Sequence, residues 1–415
     1  MSDCTAGGVL RAEQKDQSMS IDPLGNTSVD PTIVNGVRTF TDEQTGREVR
    51  QLTDFEHGAH LGYFRMYRQV PDGRMLAWGT HENGRAILID PATGDLELLA
   101  HPPSSLKFRE SDGRNWYITC EDDHQGMKLC HVDLPGGEPI IDVDLPGDLP
   151  GGVEDITIDG RYLILNERHQ DLSEHPIPTT KDVATMTHYF SRPRHGAIWA
   201  YDTVTGRTEQ LLTAQDITPL HLDTSPLDPT LLRYAMDMPE TKGQRMWTMR
   251  IDGSDRKPIR AQARGEMVTH EFWWADANHI GYTYQDRRAD PTVEDHHWAE
   301  YALADTRLGI ADLNGQEVYL SDPLNSYHTH LYRSPDGTLV SGEGTDGHCF
   351  VYAGAFSMEN TRIDMVPLAT THATYVPFRG QGVDCNFSAD GRWLIYADQL
   401  DPDGPRQLFA VEVDL

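Results

Sequence analysis

Three observations predict an all-β fold for this 415-residue sequence. Asp-Gly turns recur along it, an apolar β-rich run follows each turn, and each run is followed by further strands separated by short polar turns. Such a unit supplies about four antiparallel strands over ~50 residues, the size of a propeller blade. Seven turns predict a seven-bladed β-propeller.

Five copies of the turn are explicit. They are Asp72-Gly73 before RMLAWGT, Asp112-Gly113 before RNWYITC, Asp159-Gly160 before RYLILNE, Asp336-Gly337 before TLVSGEG and Asp390-Gly391 before RWLIYAD. Two degenerate copies fill the long gap, Pro226 to Pro229 before TLLRYAMD and Ala275 to Asn278 before HIGYTYQ. Asp-Gly between β-rich runs signals a hairpin because Gly accepts the positive φ of tight turns. Runs such as AILIDPATGDLELLA and AIWAYDTVTGRTEQLL supply the outer strands.

An extra turn and strand, Arg38 to Thr53, precede the first Asp-Gly, and the last unit stops at Leu415 after its third strand. Pairing of N- and C-terminal strands would close the ring and remove its open edges. The expected organisation is a flexible tail over 1–31 and one propeller domain over 32–415. A long insertion, Gln170 to about Arg194, separates the second and third strands of blade three. Loops of that length in a compact domain are functional or disordered.

Charge and composition narrow the partners. Lys and Arg number 35 against 65 Asp and Glu, a net charge of −30. That surplus argues against nucleic acid and anionic membranes as partners. No run approaches the ~20 apolar residues of a membrane span. No signal-peptide apolar core is seen, so the expected location is cytoplasmic. Cys4, Cys120, Cys130, Cys349 and Cys385 form neither a disulfide framework nor a zinc motif. Cys120 and Cys130 face each other across a hairpin, where two buried thiols are expected rather than a bridge.

Propeller sites lie where the innermost strands converge, a fixed distance before each Asp-Gly turn. His221 precedes Asp228 by seven residues, His270 precedes Asp276 by six, and His328 and His330 precede Asp336 by eight and six. Three consecutive blades thus put histidines at one height, and His328 and His330 share a strand face. Asn325 joins them three residues upstream of His328. Imidazoles without thiolates suit a divalent cation such as Mn²⁺, Zn²⁺, Fe²⁺ or Ni²⁺. Taken singly, each histidine reads as an ordinary hydrogen-bonding group; the shared offset sets the group apart. His57, His60, Tyr63, Arg65, Tyr67 and Arg68 cluster ahead of the first turn, and Arg192 and Arg194 end the insertion. Read as surface charge they mean little, but Arg forks pair bidentately with carboxylates. An anionic substrate then needs its positive charge gathered at this one place.

From about Gly46 onward the sequence resembles the oligogalacturonate lyases. The resemblance is carried by REVRQLT followed by HLGYFRMYRQVPDGRML, by FSRPRHGAIWAYDTVTG, QRMW and THEFWW, and by the His-x-His stretch of blade six. It implies a seven-bladed propeller with a Mn²⁺ ion held by three His and one Gln. The ligand positions fall on His270, His328 and His330, with Asn325 at the Gln position. The resemblance further implies His221 as general base and Arg192 as its partner. Substrate contacts are expected from His60, Tyr63, Arg65, Tyr67 and Arg194. Departures surround the pocket: Leu220-His221-Leu222 stands for Gly-His-Pro, and Ala235 to Pro239 replaces a Cys-His-Glu-Gly-Pro run. Before the last Asp-Gly, VDCNFSADG replaces a His-containing stretch.

The implied reaction is β-elimination at a 4-linked uronate, leaving a 4,5-unsaturated sugar. The partner is a uronate-containing oligosaccharide, whether oligogalacturonide or a rhamnose–glucuronate linkage. Tyr63, Tyr67 and His60 are candidates for protonating the leaving oxygen. Two other classes stay open, a glycosidase using carboxylates such as Glu154, Glu271 or Asp384, and a non-catalytic sugar- or protein-binding propeller. A peptidase propeller is disfavoured, since no Gly-x-Ser-x-Gly elbow exists.

Overall fold

The structure, a computed structural model, describes residues 32–34, 37–63, 69–79, 85–99, 105–120, 126–170, 188, 194–237, 243–263, 265–286, 305–325, 330–344, 350–372, 383–401 and 404–415. Its strands form seven antiparallel sheets, six of four strands and one of six. The axial strand is the first of each sheet, as in Gly152–Ile156, Thr218–Thr224 and Glu266–Trp273 of blades three, four and five. The seventh sheet joins both chain ends. Its strands Asn386–Phe387, Trp393–Asp398 and Gln407–Glu412 are completed by Glu48–Gln51, with Val49 opposite Val411 and Gln51 opposite Phe409. The expected closure is therefore present, and Val37–Thr41 and Thr32–Val34 extend that sheet outward.

The turns explain the repeat. Gly73, Gly113, Gly160, Gly337 and Gly391 all have positive φ, from 70° to 92°. At Gly113 a Cβ would also lie 1.9 Å from the Leu134 carbonyl oxygen, so glycine is required there twice over. In the degenerate blade-five copy Ala277 takes the left-handed conformation itself, at φ 52°. The turn aspartates are structural: Asp159, Asp336 and Asp390 each accept from a Thr or Ser hydroxyl two residues earlier.

Hydrophobic burial is divided among seven clusters, one between each pair of neighbouring blades. Met75, Ala77 and Ile87 of blade one pack on Ile395, Leu408 and Ala410 of blade seven, and Phe272 and Ile310 of blade five pack on Tyr332 and Val340 of blade six. A middle strand is thus buried on both faces, which is why MLAWG and WLIYAD read as continuous apolar runs rather than alternating ones. Outer strands such as Ile140–Leu145 face solvent. No helix among the described residues is long and apolar enough to cross a membrane. Cys130 is a free buried thiol; register places it opposite Tyr117, while Cys120 lies opposite Met127.

Candidate active site

The axial strands of blades three, four and five share one irregularity. Each carries one residue more than its partner, between Val153 and Asp155, between Leu220 and Asp223, and between Thr269 and Phe272. Such bulges bend a strand and re-aim a side chain. In blades four and five the bulge is built on a histidine with left-handed backbone: His221 at φ 51° and His270 at φ 52°. Asp384, at φ 48°, lies six residues before the blade-seven turn, the offset of His270 in blade five. Non-glycine residues held at positive φ cost free energy, about 1–3 kcal/mol each, and cluster where side-chain direction matters.

The bulges bring distant histidines together. The rings of His270 and His330 lie edge to face with centroids 4.5 Å apart. Tyr63, from the axial segment of blade one, reaches across the channel to both His221 and His330, with ring centroids 5.6 and 5.3 Å away. Two histidines are fixed from behind by carboxylates. His221 Nδ1 donates to Glu271 Oε1 at 3.0 Å, and His330 Nδ1 donates to Glu343. Since a carboxylate only accepts, both rings hold their proton on Nδ1, and Nε2 is the basic nitrogen of each neutral imidazole. Glu343 is positioned in turn by the Asp384 amide, which donates to its other oxygen at 2.7 Å.

The electrostatics divide the roles. His270 is held well below the ordinary imidazole value by burial first, and then by the charges of His330 and Arg245. His330 goes the other way: burial opposes its charge, but Glu343 and Asp384 outweigh it. Burial alone would raise Glu271; Arg245, the His221 hydrogen bond and Arg233 instead hold it well below the usual carboxylate range. Glu271 is therefore an ionised acceptor, unsuited to act as the proton-donating acid of a glycosidase.

A buried ionic network continues from Glu271 along the axis. Its oxygens lie 3.4 Å from Arg233 Nη1 and 3.4 Å from Arg245 Nε. Arg233, fully buried, also grips Asp223 at 2.5 Å, and Lys107 bridges Asp223 and Asp155 at 3.2 and 2.9 Å. Three carboxylates thus face three cations in the chain from Lys107 to Arg245. A cavity of about 410 Å³ lies at the Asp-Gly-turn end of the axis, lined by Lys107, Asp155, Asp223, Trp273, Tyr332 and Arg333. Among the described residues no histidine lines it, and the clustered histidines His221, His270 and His330 lie outside its lining.

Of the residues expected from the sequence, His221, His270, His330 and Tyr63 converge. Asn325 makes its hydrogen bonds elsewhere. Its Nδ2 donates to the Met365 carbonyl and its Oδ1 accepts from the Met365 amide, both at 2.9 Å, so the amide clamps the chain between blades five and six. His60 is half-buried and stacks on Trp78, 5.3 Å away at 22°. Arg194 is buried at the start of a blade-three strand, opposite Gln170. Arg65, Tyr67, Arg192 and His328 lie outside the described residues. Among the described residues no three of His, Cys, Asp and Glu stand together as a metal-binding group. Sequence reasoning missed Glu343, Arg233 and Arg245 as members of this site, although Arg245 lies within QRMW.

The fold and this cluster define a class: a seven-bladed β-propeller with carboxylate-backed histidines converging on its axis. No family model matches the chain. An oligogalacturonide lyase of Pectobacterium atrosepticum is 25% identical over 341 residues, covering 78% of this chain and 79% of that protein. An oligogalacturonate lyase of Dickeya dadantii is 24% identical over 337 residues, with the same coverage. Among solved structures, an oligogalacturonate lyase in complex with manganese superposes with a TM-score of 0.64 at 20% identity, covering 93% of this chain and 97% of that one. The oligogalacturonate lyase of Vibrio parahaemolyticus gives 0.64 at 19% identity, covering 93% and 98%. The chain is a divergent relative of the oligogalacturonate lyases.

Proposed function

We propose that this protein is a carbon–oxygen lyase that cleaves 4-linked uronate oligosaccharides by β-elimination. One observation carries the reading: His221, held on a strained bulge and backed by Glu271, faces the same tyrosine as the His270–His330 pair. Lyases of oligogalacturonides are the sequence relatives, which supports uronate as the substrate class.

The donor set fits a divalent cation at two positions. His270 is kept neutral, as a ligand must be, and His330 shows the carboxylate–histidine pairing that orients metal-binding imidazoles. His270 and His330 would hold the ion, with His328 as the expected third ligand; a manganese complex is known for a structural relative. When bound, such an ion supplies Lewis-acid stabilisation of the uronate carboxylate as charge builds on it.

The chain's own residues do the rest. His221, its proton on Nδ1 toward Glu271, presents Nε2 as general base for the C5 proton. Glu271 stabilises the imidazolium that forms, and Arg233 and Arg245 keep Glu271 ionised for that purpose. Arg192, the expected substrate-side partner of His221, would pair with the carboxylate of the sugar. A net charge of −30 is compatible with an anionic substrate because exposed charges are screened over ~8 Å at physiological salt.

Product mass tests the reading. Incubation with oligogalacturonides and Mn²⁺ should give, at each cleavage, one fragment lighter by one water than its hydrolysis counterpart and one of unchanged mass. Hydrated products would instead point to a glycosidase. No cleavage of any uronate would point to a binding propeller.

A further inference from the structure

We infer that Tyr63 is the general acid that protonates the departing glycosidic oxygen, a role that rests on the lyase reading above. Elimination needs two proton transfers at one sugar ring, from C5 and to the oxygen leaving C4. The donor must therefore stand within one sugar's width of the base. Tyr63 comes from blade one, yet its ring adjoins His221 of blade four and His330 of blade six. It spans the gap between the base and the residues that would face the uronate carboxylate. It is half-buried and packed against the cluster between blades five and six, so the ring is held while part of it stays accessible.

The alternatives within the described site are less suited. Glu271 is fully enclosed, with its oxygens facing His221, Arg233 and Arg245. His60 is stacked on Trp78. A phenol is neutral at physiological pH and more acidic than a sugar alcohol, so it transfers its proton downhill to the alkoxide.

The transfers balance. His221 Nε2 takes the C5 proton, the C5–H electron pair becomes the C4=C5 double bond, and the C4–O bond breaks. The departing oxygen takes the Tyr63 hydroxyl proton. The imidazolium of His221 then returns its proton to the tyrosinate, directly or through a water, and both groups are restored without an external acid or base.

Two substrates separate acid catalysis from packing. One is trigalacturonide, whose leaving group is a sugar oxygen. The other is a methyl uronoside carrying 4-nitrophenoxide at C4, which departs without protonation. Tyr63→Phe keeps the ring against both imidazoles, and turnover of the aryl substrate itself reports a folded site. The variant should lose about a hundredfold or more in kcat on the trimer, and stay within about threefold of the unsubstituted protein on the aryl substrate. Equal losses on both would overturn the Tyr63 assignment alone. An unsubstituted protein inert toward both would overturn the lyase reading and the assignment with it.

Discussion

Glu271 stands directly behind His221, its Oε1 3.0 Å from Nδ1, while its other oxygen faces Arg245 at 3.4 Å. The pair is local in neither sequence nor blade, since 50 residues separate the two and each lies on a different axial strand. Glu271→Gln removes the charge and releases the imidazole from its tautomer. The kcat on oligogalacturonide is expected to fall about 10- to 100-fold, the range for residues that orient a functional histidine, with KM nearly unchanged. Arg233 and Arg245 also lose their counter-charge, so urea unfolding should show a loss of about 3–5 kcal/mol. Unchanged kcat with lowered stability would reduce Glu271 to a structural ion-pair partner.

Metal binding is expected to register in stability. A cation that binds only the folded state at a hundredfold excess over its dissociation constant adds about 2.7 kcal/mol, so Mn²⁺ should raise the melting temperature. His270→Ala and His330→Ala should each abolish that rise, measured by differential scanning fluorimetry against a chelated control.

Asn325 should behave differently from those histidines. Its amide makes both hydrogen bonds to Met365, so Asn325→Ala is expected to lower stability by about 1–3 kcal/mol while the Mn²⁺-dependent rise persists. Loss of the rise in this variant would make Asn325 a ligand, as the sequence reading expects.

Acid sensitivity can be assigned to the joint between blades four and five. Glu266 pairs with Arg260, accepts from the Ala263 amide at 2.8 Å and from the Tyr284 hydroxyl at 3.1 Å. Burial alone would raise this carboxyl, but Arg260 and those donors hold it below its ordinary value of 4.5. A depressed carboxyl contributes stability above its unfolded value and loses it as pH falls through the folded one. Glu266→Gln should therefore cost about 3 kcal/mol at pH 7, and the gap to the unsubstituted protein should narrow below about pH 4.5 in equilibrium unfolding.

The ring was legible in the sequence because it rests on local chemistry. Each Asp-Gly turn needs a positive φ, and each middle strand is buried on both faces, so both leave marks within a few residues. Even the closure of the ring could be inferred from a unit that lacked one strand, and the structure closes it with Val49 opposite Val411. The histidine offset survived for the same reason, since one register repeats in successive blades. What stayed hidden depends on contacts across the axis. Glu343 lies 13 residues from His330 and Arg245 lies 26 from Glu271, and neither spacing carries a signal. The bulges at His221 and His270 were invisible too, because nothing in the sequence shows which strand carries an extra residue. Asn325 was placed by analogy with a longer amide, and the structure spends that amide on Met365.

In the proposed reaction His221 removes the C5 proton of a bound uronate. The most direct measurement is ultraviolet absorbance of the 4,5-unsaturated product during incubation with trigalacturonide and Mn²⁺, for the unsubstituted protein and for His221→Ala. Expected is a steady rise for the former and a rate lower by about 10²–10⁴-fold for the variant, the contribution of a positioned general base, with the Mn²⁺-dependent melting shift retained. A rise of equal rate in both proteins would contradict it.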